Sequence, residues 1–221
     1  MRRILLVTGG VLLVAVVAVS WLGLLQVPVL SSVFGMDHAR DLGVRSDPAA
    51  FQAFATKWGI ERPSAPGNYT LSSKHHWSGS VHVDDTISEA ALNARPEFHN
   101  SNTHFSGIQM RLHNGYAEIA AFVNNVQGYP ISGPVYGQFS IAVTSPKSVR
   151  IQFGKLEFGR IGVPGNIVDS AQNMLSGYFT KAIVQAGVTI EALQLREGAL
   201  YFKGTWPKTI TADPPGSNTL P

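Results

Sequence analysis

The chain has 221 residues and no cysteine, enough length for one domain with an appendage. That composition excludes a disulfide framework, a thiolate nucleophile and a cysteine-based zinc site. Lys and Arg number 17 against 14 Asp and Glu, and Arg2 and Arg3 are the only charged residues before Asp37, so the rest of the chain is nearly neutral and unsuited to nucleic acid.

Ile4 to Leu25 is a run without charge in which only Thr8 and Ser20 carry polar side chains. At about 1.5 Å per residue it is long enough for a bilayer core. The expectation is a transmembrane anchor over residues 1–26. Arg2 and Arg3 ahead of it predict a single-pass protein with a cytoplasmic N-terminus and an extracytoplasmic C-terminal domain. The competing reading is a cleaved signal peptide ending near Ala18-Val19-Ser20. Residues 27–67 are expected as a membrane-proximal linker with one short helix. In that helix Asp47 or Ser46 is the cap, Pro48 opens the first turn, and Phe51, Phe54, Ala55 and Trp58 share one face.

Residues 68–206 carry the main pattern. From His75 to Ile87 apolar and polar residues alternate, as in a half-buried strand. Ser88 caps a short helix over the following EAALNA, and Phe98 to His104 reads as a polar loop. Ile108, Met110 and Leu112 mark a strand that turns at His113-Asn114-Gly115, and Tyr116 to Val126 returns. Val135, Gly137, Phe139, Ile141 and Val143 alternate most cleanly, and Val149, Ile151 and Phe153 continue. The apolar parity then slips at Gly154 and again at Gly159, where a bulge or a bend is required. Pro164 to Gly187 reads as one long helix. Ile167, Ala171, Met174, Tyr178 and Ala182 recur at helical spacing, beside Val168, Leu175, Phe179, Ile183 and Ala186, so that apolar residues cover about half its circumference. Two strands around Glu197-Gly198 close the domain, and residues 207–221 are expected to be a disordered tail.

The predicted fold class is therefore α+β: a strongly curved antiparallel sheet around one long helix, preceded by a transmembrane helix. The histidines do not assemble into a ligand set by spacing. His75 and His76 point to opposite faces of a strand, and His76 and His82 lie roughly 20 Å apart along one. No catalytic constellation, metal site or cofactor is expected, and no GxSxG, P-loop or HExxH motif occurs.

Several short motifs carry a resemblance. Thr86, Ser88, Glu89, Leu92 and Asn93 form a strand-to-helix start, and Ile161, Gly162, Val163 and Pro164 an entry to the long helix. Over about residues 70–206 the chain resembles the YpmS-like membrane-anchored bacterial exported proteins, in the orbit of the tubular lipid-binding (TULIP-like) folds. The resemblance implies a curved sheet around the helix, an apolar groove that accepts acyl chains, and no enzyme activity. The expected function is a membrane-associated module binding lipid or another hydrophobic small molecule. Its expected site residues are Ile108, Met110, Leu112, Phe139 and Ile141 on the sheet, with Ala171, Met174 and Tyr178 on the helix. The alternative is a structural or protein-interaction domain whose core is closed, with a hydrolase third.

Overall fold

The computed structural model describes residues 16–18, 20, 28–70, 73–100, 105–124 and 132–214. Its strands form three sheets. The order is β3-β4-β5-β6-β7 in the first, β2-β9-β8 in the second and β1-β10 in the third. The strands are β1 (His75–Ser78), β2 (Val81–Ser88), β3 (Phe105–His113), β4 (Tyr116–Val123), β5 (Gly133–Ser145), β6 (Ser148–Phe158), β7 (Ile161–Gly162), β8 (Thr189–Arg196), β9 (Ala199–Trp206) and β10 (Thr209–Ala212). Helices α1 (Pro28–Val33), α2 (Pro48–Lys57), α3 (Glu89–Asn93), α4 (Pro96–His99) and α5 (Gly165–Gln185) accompany them.

This architecture corrects the expected one. Among the described residues the strands divide among three sheets instead of curving as one around a helix, α1 to α4 are short, and α5 lies against β6. The TULIP-like arrangement is not the one the chain adopts. The expected transmembrane helix is corrected as well. A span needs about 20 consecutive apolar helical residues. Among the described residues no helix is long and apolar enough to cross a membrane. Helix α5 has 21 residues but carries a stripe of Gln, Asn, Ser and Thr, and most of the run from Ile4 to Leu25 lies outside the described residues. The single-pass placement, with a cytoplasmic N-terminus and an extracytoplasmic domain, is not retained.

The core lies where the inner face of β2-β9-β8 meets α2 and the ends of β5 and β6. Phe51, Trp58, Val83, Ile87, Val149, Ile190 and Phe202 are buried together there, with Ile141, Val143, Ile183 and Ala186 packed around them. The capping expectation for α2 holds: Asp47 accepts hydrogen bonds from the Ala49 and Ala50 N–H groups. The Trp58 ring reaches Phe202 and Trp206 at centroid distances of 5.7 and 5.9 Å, and its Nε1 donates to Asp85. Within residues 27–67, Phe51, Ala55 and Trp58 are buried in the body. From Met36 to Leu42 the chain straps the outer face of the five-stranded sheet. The Arg40 guanidinium lies 4.1 Å above the Tyr136 ring, and Leu42 packs on Ala120 and Tyr136.

The outer strand β3 and the length of β6 that the two-residue β7 leaves open are both closed by helix side chains. On β3, the buried Asn93 amide accepts from the Met110 N–H and donates to the Met110 carbonyl, and Glu89 accepts from the Leu112 N–H. Here α3 begins with Ser88 as its cap, as the sequence predicts. The two hairpin turns interlock beside it. The Gly115 N–H donates to the Leu195 carbonyl and the Gly198 N–H to the Leu112 carbonyl, both at 3.0 Å.

The parity slips are real and have two causes. Gly154 is the extra residue where pairing jumps from Gln138–Lys155 to Phe139–Phe153, a bulge. Gly159, at φ 61°, makes the turn between β6 and β7. The alternating run from His75 breaks at Gly79, also at positive φ, into β1 and β2. Thr209–Ala212, expected in a tail, instead pairs with β1 as β10.

One glycine tolerates nothing larger. Gly204 has φ 147°, and a Cβ there would collide with the Thr189 carbonyl oxygen across the β8–β9 bulge. Gly204→Ala is expected to destabilise by about 3 kcal/mol or more, read from urea unfolding. A loss under 1 kcal/mol would contradict this backbone approach.

The buried Glu97 of α4 gives a pH signature. Its carboxylate lies 2.6 Å from Arg62 and 3.5 Å from Arg95. Burial pushes the Glu97 carboxyl up, but the charges of Arg95 and Arg62 outweigh that and hold it below the usual range. A carboxyl with a depressed folded-state value stabilises above its unfolded value, about pH 4.3, and loses that contribution as pH falls through the folded value. Glu97→Gln should therefore be less stable than wild type at pH 6, with the gap closing by pH 3. A gap that widens on acidification would show that the ion pair is not its source.

Candidate functional site

Helix α5 decides the site. It ends as predicted, with Gly187 at φ 66° and the Val188 N–H returning to the Ile183 carbonyl. Its first helical residue is Gly165, which Pro164 precedes, and Asn166 lies inside the first turn.

The helix runs antiparallel to β6 and faces it with polar side chains. Gln172 Oε1 accepts from the Phe153 N–H at 2.7 Å, Ser176 Oγ from the Ile151 N–H at 2.9 Å, and Thr180 Oγ1 from the Val149 N–H at 3.4 Å. Four helical residues advance about 6.0 Å and two strand residues about 6.6 Å, so an i, i+4, i+8 stripe keeps step with alternate strand N–H groups. The small mismatch accumulates toward Thr180, where the bond is longest.

Because polar residues face the strand, much of the apolar set faces out. No residue of α5 is fully buried. Ile167 is 53% exposed, Met174 68%, Tyr178 61%, Phe179 45% and Val184 54%. The Tyr178 and Phe179 rings meet edge-to-face at 5.8 Å. Only Ile183 and Ala186, at the C-terminal end, pack against the main core.

Between α5 and the outer face of β5–β6 runs an open groove of about 750 Å³. Its floor includes Thr144, Ser148, Arg150 and Gln152, and its helical wall includes Gln172, Asn173, Ser176, Gly177 and Thr180. Gly177 has open space where a Cβ would project. The sequence predicts an apolar groove here; the observed lining is largely polar.

The expected site residues do not converge. Ile108 and Leu112 are buried on β3 and Met110 is half-buried there. That strand lies three positions from β6, roughly 14 Å at ordinary strand spacing. Phe139 and Ile141 are half-buried on β5; Phe139 packs edge-to-face on Phe153 at 6.1 Å, and Ile141 joins the main core. Ala171 is half-buried, while Met174 and Tyr178 stand in solvent outside the groove lining. Sequence reasoning missed Arg150, Gln152, Asn173 and Gly177. The available signal was the i, i+4, i+8 spacing of Gln172, Ser176 and Thr180, which marks a polar stripe suited to an edge strand.

A second polar cluster lies on the sheet's strapped face. Tyr136 donates to Glu118 at 2.6 Å and Gln138 donates to the same oxygen at 3.1 Å. Burial pushes the Glu118 carboxyl up, and the Tyr136, Gln138 and His113 contacts more than offset it, leaving it low. Among the described residues no group of three or more His, Asp and Glu side chains could hold a metal ion.

No protein-family model matches the chain, and neither the curated proteins nor the solved structures contain a match. The resemblance to YpmS-like proteins rests on the short sequence motifs alone.

The polar seam makes its own prediction. Ser176→Ala leaves the buried Ile151 without its partner and should cost about 1–3 kcal/mol. Hydrogen exchange at the Ile151 and Phe153 amides should accelerate in Gln172→Ala/Ser176→Ala, with exchange in β9 unchanged. Equal acceleration throughout would mean global destabilisation instead of opening at the seam.

Proposed function

We propose that the protein is a non-enzymatic module that binds a lipid or a comparable amphiphile against the outside of α5. The observation that carries this reading is the exposure of Ile167, Met174 and Tyr178 on a helix with no buried residue. Contiguous exposed apolar side chains rimmed by polar ones mark interaction surfaces. Met174 adapts to ligands of variable shape, and Tyr178 offers an apolar ring with a polar tip. The polar groove alongside adds hydrogen-bonding groups within reach of the same helix. The binding surface is thus the outer side of the helix, with the groove as its polar margin, in place of an internal apolar cavity.

The test uses the full chain and a photoactivatable fatty acid, with cross-linked peptides mapped by mass spectrometry. Cross-links are expected within residues 165–185. Met174→Asp/Tyr178→Asp should reduce them about five- to thirtyfold at unchanged thermal stability, since both side chains are exposed and two apolar contacts of about 1–2 kcal/mol in total are lost. Cross-links confined to other segments would overturn the reading and favour a protein-interaction domain with a closed core.

A further inference from the structure

We propose that the groove beside α5 takes an anionic, hydroxyl-rich head group, a phosphate ester or a free carboxylate, with Arg150 as its principal cation. This rests on the reading of α5 as an amphiphile-binding surface and specifies which end of the ligand lies in the groove.

The charge distribution carries the inference. The groove lining contains Arg150 and seven hydroxyl or amide side chains, and no carboxylate. Among the described residues, seven cations elsewhere are held in ion pairs: Arg40 with Glu157, Lys57 with Asp85, Arg62 and Arg95 with Glu97, Lys155 with Glu157, Lys203 with Asp84 and Lys208 with Glu61. Arg150 has no ion pair or side-chain hydrogen bond among the described residues, and neither do Lys147 and Lys181. Lys147 lies in the turn between the lining residues Thr144 and Ser148, and Lys181 follows the lining residue Thr180. Three uncompensated cations therefore sit in or beside a groove free of carboxylates. The nearby acid, Asp169, accepts from Gln172 at 3.1 Å and is not part of the lining.

The recognition chemistry follows. A guanidinium presents paired donors matched to phosphate or carboxylate oxygens, and charge-assisted bonds are about twice as strong as neutral ones. Ser148, Gln152 and Asn173 are donors and acceptors suited to the hydroxyls of a glycerol or sugar head. Gly177 puts no side chain between groove and outer face, so a chain attached to that head crosses there to Met174 and Tyr178.

The test compares two monomeric short-chain lipids, dihexanoyl phosphatidylglycerol and dihexanoyl phosphatidylcholine, by calorimetry on the full chain. Glycerol 3-phosphate serves as the soluble control. Wild type should prefer the phosphatidylglycerol by about tenfold or more, the worth of one charge-assisted contact. Arg150→Gln should abolish that preference, lowering phosphatidylglycerol binding more than that of phosphatidylcholine, whose phosphate is already offset by its own choline cation, and should keep the unfolding midpoint, since Arg150 is exposed and has no ion pair among the described residues. Arg150-dependent binding of glycerol 3-phosphate without lipid binding supports the anionic head chemistry and assigns it to a soluble ligand. Equal wild-type affinity for both lipids, or a preference that survives Arg150→Gln, overturns the head-group inference and leaves the α5 surface standing. Binding of none of the three overturns both.

Discussion

The constraint on which the structure depends is the satisfaction of strand edges. A five-stranded sheet leaves one row of N–H and C=O groups open along each outer strand, and such rows recruit other strands or must be covered. Here β3, and the stretch of β6 that the short β7 does not pair, are both covered by helices lying alongside them and reaching in with polar side chains. Asn93 and Glu89 serve β3 at Met110 and Leu112. Gln172, Ser176 and Thr180 serve β6. The near-equality of four helical rises and two strand rises makes this possible over more than one rung.

That solution determines what α5 can offer. A helix laid on the face of a sheet buries its apolar stripe. A helix laid along an edge must put hydrogen-bonding residues toward the strand, and its apolar residues are displaced outward. Ile167, Met174 and Tyr178 are therefore exposed for the same reason that Ser176 and Gln172 are half-buried. The groove runs along the same seam, lined by residues of α5, β5 and β6. Edge closure and the candidate binding surface are two sides of one helix.

The remaining body anchors this arrangement. Interlocked hairpin turns join the five-stranded sheet to β8–β9. The strap from Met36 to Leu42 covers the sheet's outer face, and the Arg62–Glu97–Arg95 group fixes α4 beneath the loop that leads into β1. Removing one partner from such a buried ionic group costs far more than the pair itself contributes, because a charge is left without a counterpart. Of these, the strap reaches β5 and β6 directly, with Arg40 over Tyr136 and paired with Glu157.

The sequence by itself determined the local elements whose signals are short-range. Asp47 and Ser88 cap helices because their side chains reach N–H groups two or three residues ahead. Gly154 and Gly159 interrupt strand parity because a bulge and a left-handed turn each need backbone freedom. Ile108, Leu112 and Ile141 were legible as inward-facing from alternation alone, although not as members of one site. Tertiary structure decided everything that depends on which surface meets which. Periodicity shows that α5 has an apolar and a polar side, but the polar side is the one turned inward when the neighbour is a strand edge with open hydrogen-bonding groups. The pairing of β10 with β1, the separation of three sheets and the placement of Arg150 in a groove without acids arise from contacts between residues far apart in the chain. No local pattern encodes them, because each partner's pattern is equally compatible with other neighbours.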